Sequence, residues 1–319
     1  MANSNAVVSE TKLKKQTEFP LTKAILPAII LLLALFNVLV TENFFALQSL
    51  WNLLILISTT ALVAIGMTLV IATGGIDLSV GSIMAVAAVT STFLLETNLF
   101  ILVAGTLGVC LLFGIFNGAV ISYIGVQPII ATLAMMIAGR GLAQVATEGY
   151  LISFSNPAYG FIGKGSIAGI PVPVLILFIV AALIYTVVKH TTFGRYVEAI
   201  GDNERAANLA GINVKLVKLI VYSIAAVLAA LAGLIETSRL AAADATRIGE
   251  LIELDAIAAV VVGGTLMTGG RPYIWGTVMG ALLMGLITVT FIMNDIPHPY
   301  SLVIKAFIII GAIFVQRKK

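Results

Sequence analysis

The sequence contains uncharged stretches longer than any water-soluble fold has use for. Glu42 and Asp77 enclose 34 uncharged residues, and the 43 residues from Thr97 to Gly139 also carry no charge. A transmembrane helix needs about 20 consecutive apolar residues, so these stretches read as membrane crossings. Charged residues make up only 10% of the chain, against about 25% in a typical soluble domain. With 319 residues there is room for about ten spans and none for a separate soluble domain. The expected class is all-α: a polytopic membrane protein of about ten transmembrane helices. Residues 23–319 would form one membrane domain behind a cytoplasmic tail, residues 1–22.

The spans fall at about 24–40, 51–73, 78–95, two within 97–147, 173–188, 219–234, 255–267, 273–293 and 301–315. Gly125-Val126-Gln127-Pro128 divides the fourth from the fifth, because proline ends a helix and disfavours helix at the residue before it. Spans two and eight have unsuitable lengths and suggest bent or re-entrant segments. The polar start holds Lys12, Lys14, Lys15 and Lys23 ahead of the first apolar run, without a small-residue cleavage pattern. It reads as a retained signal anchor.

An even number of spans puts both termini on one side, and positive charge chooses the side. The tail, the connection after span six, the turn after span eight and the C-terminus together hold 13 of the 18 Lys and Arg. The opposite connections hold Lys164, Arg239 and Arg247, while Arg140 and Lys305 fall inside spans. Both termini are therefore expected in the cytoplasm.

Several chemistries lack the residues they need. Gly163-Lys164 is followed by Gly165 and not by Ser or Thr, so no phosphate-binding loop forms there. The only histidines, His190 and His298, leave no metal cluster and no serine–histidine arrangement. The lone Cys110 can form no internal disulfide. A net charge of +3 gives no reason to invoke nucleic acid. No cofactor is expected in this chain.

The most charged connection lies at about 189–216. Asp202 is a plausible helix cap there, with Glu204 and Arg205 in the first turn. Ala206, Ala207, Leu209 and Ala210 would give a small apolar face, and Gly211 would end the helix. Such a helix suits docking, and a solvated loop would look the same. A second feature is an echo: Thr73-Gly74-Gly75 and Gly81 recur in spacing as Thr268-Gly269-Gly270 and Gly276. Transporters are often built from duplicated halves, although glycine-rich turns resemble one another anyway.

These segments together resemble permeases of the ribose-type ABC importer family. The resemblance rests on Thr73 to Gly81, on Leu254-Asp255 through Gly263-Gly264-Thr265, on Gly269-Gly270 and on residues 194–212, in the family's order. Residues 131–141 and 153–157 resemble the galactofuranose branch. The resemblance implies a pore subunit, not an enzyme, that moves ribose, galactofuranose or a related monosaccharide across the bacterial inner membrane by alternating access. It further implies a cytoplasmic two-domain ATPase that binds ATP and Mg, a periplasmic sugar-binding protein, and a second permease, identical or related, all set in membrane lipid. Its ATPase-coupling residues would be Arg195, Glu198, Gly201, Asp202, Asn203, Arg205, Ala206 and Gly211.

Candidates for the translocation pathway are Asp77, Asn117, Gln127, Arg140 and Asp255. Four of them have a structural alternative. Asp77 could cap span three. Arg140 could lock span five to a neighbour. Asn117 and Gln127 could bond adjacent helices. Gly114, Gly118, Gly276 and Gly280 read as close helix contacts, and Lys305 as a side chain that snorkels outward. The charged stretch from Glu236 to Glu253 reads as an outer loop suited to a soluble partner. Two rival functions remain: a same-fold permease for branched-chain amino acids or nucleosides, and an ion-coupled transporter with Asp77 as its carboxylate.

Overall fold

A computed structural model describes residues 20–317. Lys12, Lys14, Lys15, Lys318 and Lys319, part of the charge argument, lie outside that range. The first helices are α1 (Pro20–Val40), α2 (Leu47–Ala72), α3 (Val80–Phe93) and α4 (Leu99–Ala119). A π-helical turn, Val120–Ile124, extends α4 and precedes α5 (Pro128–Ala146) and α6 (Pro157–Lys164). Then come α7 (Val172–His190), α8 (Thr192–Leu209), α9 (Val214–Leu240), α10 (Ile252–Val262), α11 (Ile274–Met293) and α12 (His298–Arg317). Six of these, α2, α4, α5, α7, α9 and α11, are long and apolar enough to cross a membrane. Shorter apolar stretches lie in α1, α3 and α12. The break after span four is where the sequence puts it: Gly125 takes φ +84° and Pro128 opens α5 at a position that needs no N–H.

The centre of the molecule is α2, buried along its whole second half, with α9 packed against it. A helix enclosed on every side has to be apolar on every side, which accounts for the absence of charge between Glu42 and Asp77. The two helices run antiparallel. Gly66 touches the Ala225 backbone, and Gly75, beyond the end of α2, meets Tyr222 near the start of α9.

The helices repeat, but not in the register of the Thr-Gly-Gly echo. One spacing, 167 residues, separates the starts of α2 and α9, the left-handed residues Gly74 and Ala241, Asp77 and Asp244, and Ser79 and Thr246. In both copies an aspartate carboxylate accepts hydrogen bonds from the backbone N–H and the hydroxyl two residues later. The packing is exchanged in step: α3 and α4 pack on α9, α10 and α11 pack on α2, α5 packs on α3, and α12 packs on α10. The repeat units are α2–α5 and α9–α12, with α6, α7 and α8 inserted between them. The equivalent of the turn after α2 is the connection after α9. The Thr268 segment instead joins α10 to α11.

Each unit contains a short helix, α3 or α10, that starts after a turn folded back against the bundle. The turns meet at Gly81 and Gly249, where a Cβ on either residue would collide with the other's carbonyl oxygen. Smaller pieces seal the rest. The Tyr159 hydroxyl of α6 donates to the carbonyl of Leu234 (3.1 Å) and lies 3.0 Å from the Ser91 hydroxyl. Asn37 of α1 donates to Thr290 of α11 at 2.7 Å.

Candidate coupling and pathway site

Residues 194–212 form two helices meeting at Asn203, whose backbone is extended (φ −161°, ψ 100°). Asn203, and not Asp202, is the cap: its side-chain oxygen accepts from the Ala206 N–H at 3.0 Å. Asp202 is exposed and lies beside Gly270, where an added Cβ would come 2.9 Å from its carboxylate. The second helix ends as expected. Gly211 takes φ +85°, its N–H bonds Asn208 and the Ile212 N–H bonds Ala207, a Schellman closure. Of the expected apolar face only Ala207 is buried; Ala206, Leu209 and Ala210 are exposed, with Arg205 beside them. Glu204 is paired with Lys218 at 2.8 Å. Arg195 is exposed and Glu198 half-buried on the first helix.

The decisive contact of this segment is Gly201. A Cβ there would overlap the Ala72 carbonyl oxygen and the Gly270 nitrogen, both backbone atoms. Those two groups are themselves hydrogen-bonded, Gly270 N–H to Ala72 C=O at 2.9 Å. The ends of α2 and of the α10–α11 turn are thus joined to each other, and α8 rests on the joint. The two Thr-Gly-Gly segments therefore meet in space although they are not repeat partners. At Gly201, α8 thus touches backbone atoms of both units of the repeat.

The five pathway candidates fall in four places. Asp77 and Asn117 share one: both are buried, and Asn117 donates to the Ser79 hydroxyl (2.8 Å), which donates to Asp77 (2.6 Å). Gln127 is exposed at the start of α5, apart from them. Asp255 pairs with Lys305 at 2.7 Å, bridging α10 and α12. Lys305 is buried, so it does not snorkel; a charge in that position needs a partner more than it needs water.

Arg140 does lock α5 to a neighbour. Its guanidinium donates to the carbonyls of Ala245 (2.9 Å) and Ile248 (2.7 Å), with longer reaches to Thr246 and Gly249. It also borders a cleft of about 480 Å³, which α5 lines with Met136, Ile137, Arg140, Gly141 and Gln144. The facing wall is Thr246, Glu250 and Leu251, with Glu253 from the first turn of α10. The supposed outer loop from Glu236 to Glu253 is thus three things: the end of α9, a connection folded against α3, and the start of α10. In the connection, Asp244 is pulled both ways. Slight burial raises its pKa, but hydrogen bonds from Thr246 and Arg247 and the Arg247 charge together hold it below the usual carboxylate range.

Sequence reasoning left out Gln144 and read Glu253 and Lys305 only as part of an outer loop and as a snorkelling side chain. Each sits near a named candidate, but only the packing of separate segments brings them together. Among the described residues no group of three metal-ligating side chains occurs.

A family model for branched-chain amino acid transport system permease components matches residues 49–313, the whole of this architecture from α2 to α12. The chain belongs to that family. Its relatives include the ribose import permease of Escherichia coli K12, 42% identical over 298 residues and 92% of each chain. The galactofuranose transporter permease of the same strain is 39% identical over 81% of this chain and 76% of its own. The D-allose transport system permease, also from that strain, is 32% identical over 99% of both. No solved structure matches the chain significantly. The permease therefore has the helices of a multi-pass membrane protein and the relatives of a sugar importer.

Proposed function

We propose that this permease is the membrane subunit of an ATP-driven importer that carries a monosaccharide across the bacterial inner membrane. The substrate class is taken from the relatives, which are named for ribose, galactofuranose and D-allose. The mechanism is taken from the Gly201 joint, the single observation that carries this reading. Ten apolar helices, α1 to α5, α7 and α9 to α12, would span the membrane with both termini in the cytoplasm. The connection 189–216 then faces the cytoplasm, where the exposed surface around Arg205, Ala206 and Leu209 receives the ATPase. ATP and Mg are bound by that partner. Its movement pulls on the Ala72–Gly270 joint, and α10, a rigid rod about 16 Å long, carries the displacement from Gly263 to Glu253 at the cleft. The cleft then lies part-way across the roughly 30 Å hydrocarbon core and opens toward a periplasmic binding protein. Its open side is completed by a second permease, identical or related.

Arg205→Glu tests the coupling. Arg205 is exposed and packs against nothing that the fold needs, so the variant should insert normally and lose sugar uptake at constant ATP. Normal uptake would remove the segment from the mechanism. An uptake panel that includes branched-chain amino acids and nucleosides tests the substrate class. Uptake that collapses with the ion gradient while ATP is held constant would favour an ion-coupled carrier instead.

A further inference from the structure

The cleft beside Arg140 is lined by a buried carboxylate to which no other side chain donates a hydrogen bond. Glu253 is 8% exposed and contributes to the cleft lining, yet its carboxylate accepts no hydrogen bond from another described residue. Its seat is shaped for it: a Cβ on Gly81 would come 2.8 Å from its Oε2. Arg140 cannot satisfy it fully, because the guanidinium is spent on the carbonyls of the α9–α10 connection. A buried carboxylate bonded only by its own backbone N–H keeps spare acceptor positions facing the cleft. Close by are Gln144, which both donates and accepts, and the Thr246 hydroxyl. Met136, Ile137 and Leu251 supply an apolar wall. The volume falls within the roughly 300–1,000 Å³ of small-molecule sites.

We propose that this cleft is a transit site for a neutral polyhydroxylated ring, in which Glu253 accepts hydroxyl hydrogen bonds, Gln144 adds donors and acceptors, and the apolar wall faces the ring's C–H surface. A carboxylate accepts from two hydroxyls at once and excludes anions, so the site selects polyols over acidic metabolites. The proposal rests on the reading of the chain as a sugar permease and adds a place where the sugar pauses.

The assembled importer in proteoliposomes provides the test. Gly141→Cys puts a thiol into open space at the cleft, while the native Cys110 is buried and does not compete. Maleimide labelling of this thiol is followed with and without D-ribose, D-galactose, D-fructose or D-allose, alongside uptake of the same sugars. The sugar that is transported should slow labelling. Glu253→Gln, which keeps the volume, should weaken that protection about tenfold, the loss expected for one charge-assisted hydrogen bond. Gln144→Ala, at a half-buried surface position, should weaken it less. Transport with no protection, or with protection unchanged in both variants, would overturn the transit site and leave the sugar permease standing. No uptake of any sugar by the intact importer would overturn both.

Discussion

The turn after α2 and the connection after α9 are the same device made in two ways. Each begins with a left-handed residue, Gly74 or Ala241, and each has an aspartate holding the N–H and hydroxyl two residues on. They differ in what surrounds the aspartate. Asp77 is buried, and Asn117 extends its network. Asp244 is half-exposed, and its connection is held from outside by Arg140 and by the strand pairing of Ala242 and Ala243 with Ser153 and Ile152. The first turn is a sealed part beside the joint that α8 touches; the second is clamped by side chains next to an open cleft. One architecture therefore holds one turn by its own buried network and the other by side chains and strands from neighbouring segments.

The largest effect should come from the sealed end. Gly201→Ala forces a methyl group against two backbone atoms that have no freedom to turn aside. Overpacking costs about 1–3 kcal/mol, and here it falls on the joint that carries the movement. Uptake should drop about tenfold or more with insertion intact, since a tenfold change needs only about 1.4 kcal/mol. Gly211→Ala is the control: its φ is +85° but the space is open, so the cost is local backbone strain and uptake should fall much less. Equal uptake in the two variants would mean that the joint is not tight in the working protein.

Next comes the pair of aspartates. Asp77→Ala strands the Ser79 N–H and hydroxyl in a buried place, at about 1–3 kcal/mol for each group left unsatisfied. Asp244→Ala leaves its donors near solvent and should cost about 0.5–1.5 kcal/mol. Thermal unfolding in detergent should therefore show a clearly larger loss for Asp77→Ala, and equal losses would erase the distinction between sealed and clamped turns. Smaller again is Arg140→Met, which removes the clamp but keeps most of the side chain's volume. Amide exchange should quicken at 245–249 and stay unchanged at 74–80. If both turns loosened together, the repeat units would be coupled through the Gly81–Gly249 contact and not independent.

How much of this was legible in the sequence depends on the range of the interaction that decides it. The break at Gly125–Pro128 and the stop at Gly211 are local chain chemistry, and both came out as read. The apolar segments fall on helices, six of them long and apolar enough to cross a membrane, with shorter apolar stretches in α1, α3 and α12, because a long apolar run signals a helix by composition alone. The cap was misplaced by one residue, because the extended backbone that breaks the helix falls at Asn203 and leaves Asp202 beside Gly270, 68 positions away. The Lys305–Asp255 pair joins residues 50 apart, and neither side chain announces the other. The repeat escaped for a subtler reason: Asp77 recurs as Asp244, but around it the repeat conserves conformation and hydrogen-bond type more than identity, Gly74 becoming Ala241 and Ser79 becoming Thr246. The echo that was visible, between the Thr-Gly-Gly segments, joins two ends that meet at Ala72 and Gly270, where the glycines are needed for different reasons: positive φ at Gly74, the Tyr222 side chain at Gly75 and the Gly201 backbone at Gly269. Only α6 had an unread local signal, since Asn156-Pro157 is a helix start and Asn156 does accept from the Tyr159 N–H.

The finest separation of the two turns is by pH. The hydrogen bonds on Asp244 hold its carboxyl below the usual range, so the folded form binds its proton less readily than the unfolded one. Its stabilisation is therefore complete above the ordinary carboxylate range and is lost as pH falls through the folded value. Between about pH 5 and pH 3, exchange of the Thr246 and Arg247 amides, corrected for the intrinsic rate, should rise modestly, and Asp244→Asn should remove the dependence. The Ile248 carbonyl should stay covered across the same range, because the Arg140 that bonds it does not titrate. A flat profile at Thr246 in the unaltered protein would mean that Asp244 contributes nothing. The connection would then be held wholly by α5 and the strand pair, borrowed from other parts of the chain, whereas the turn at Asp77 carries its own fastening.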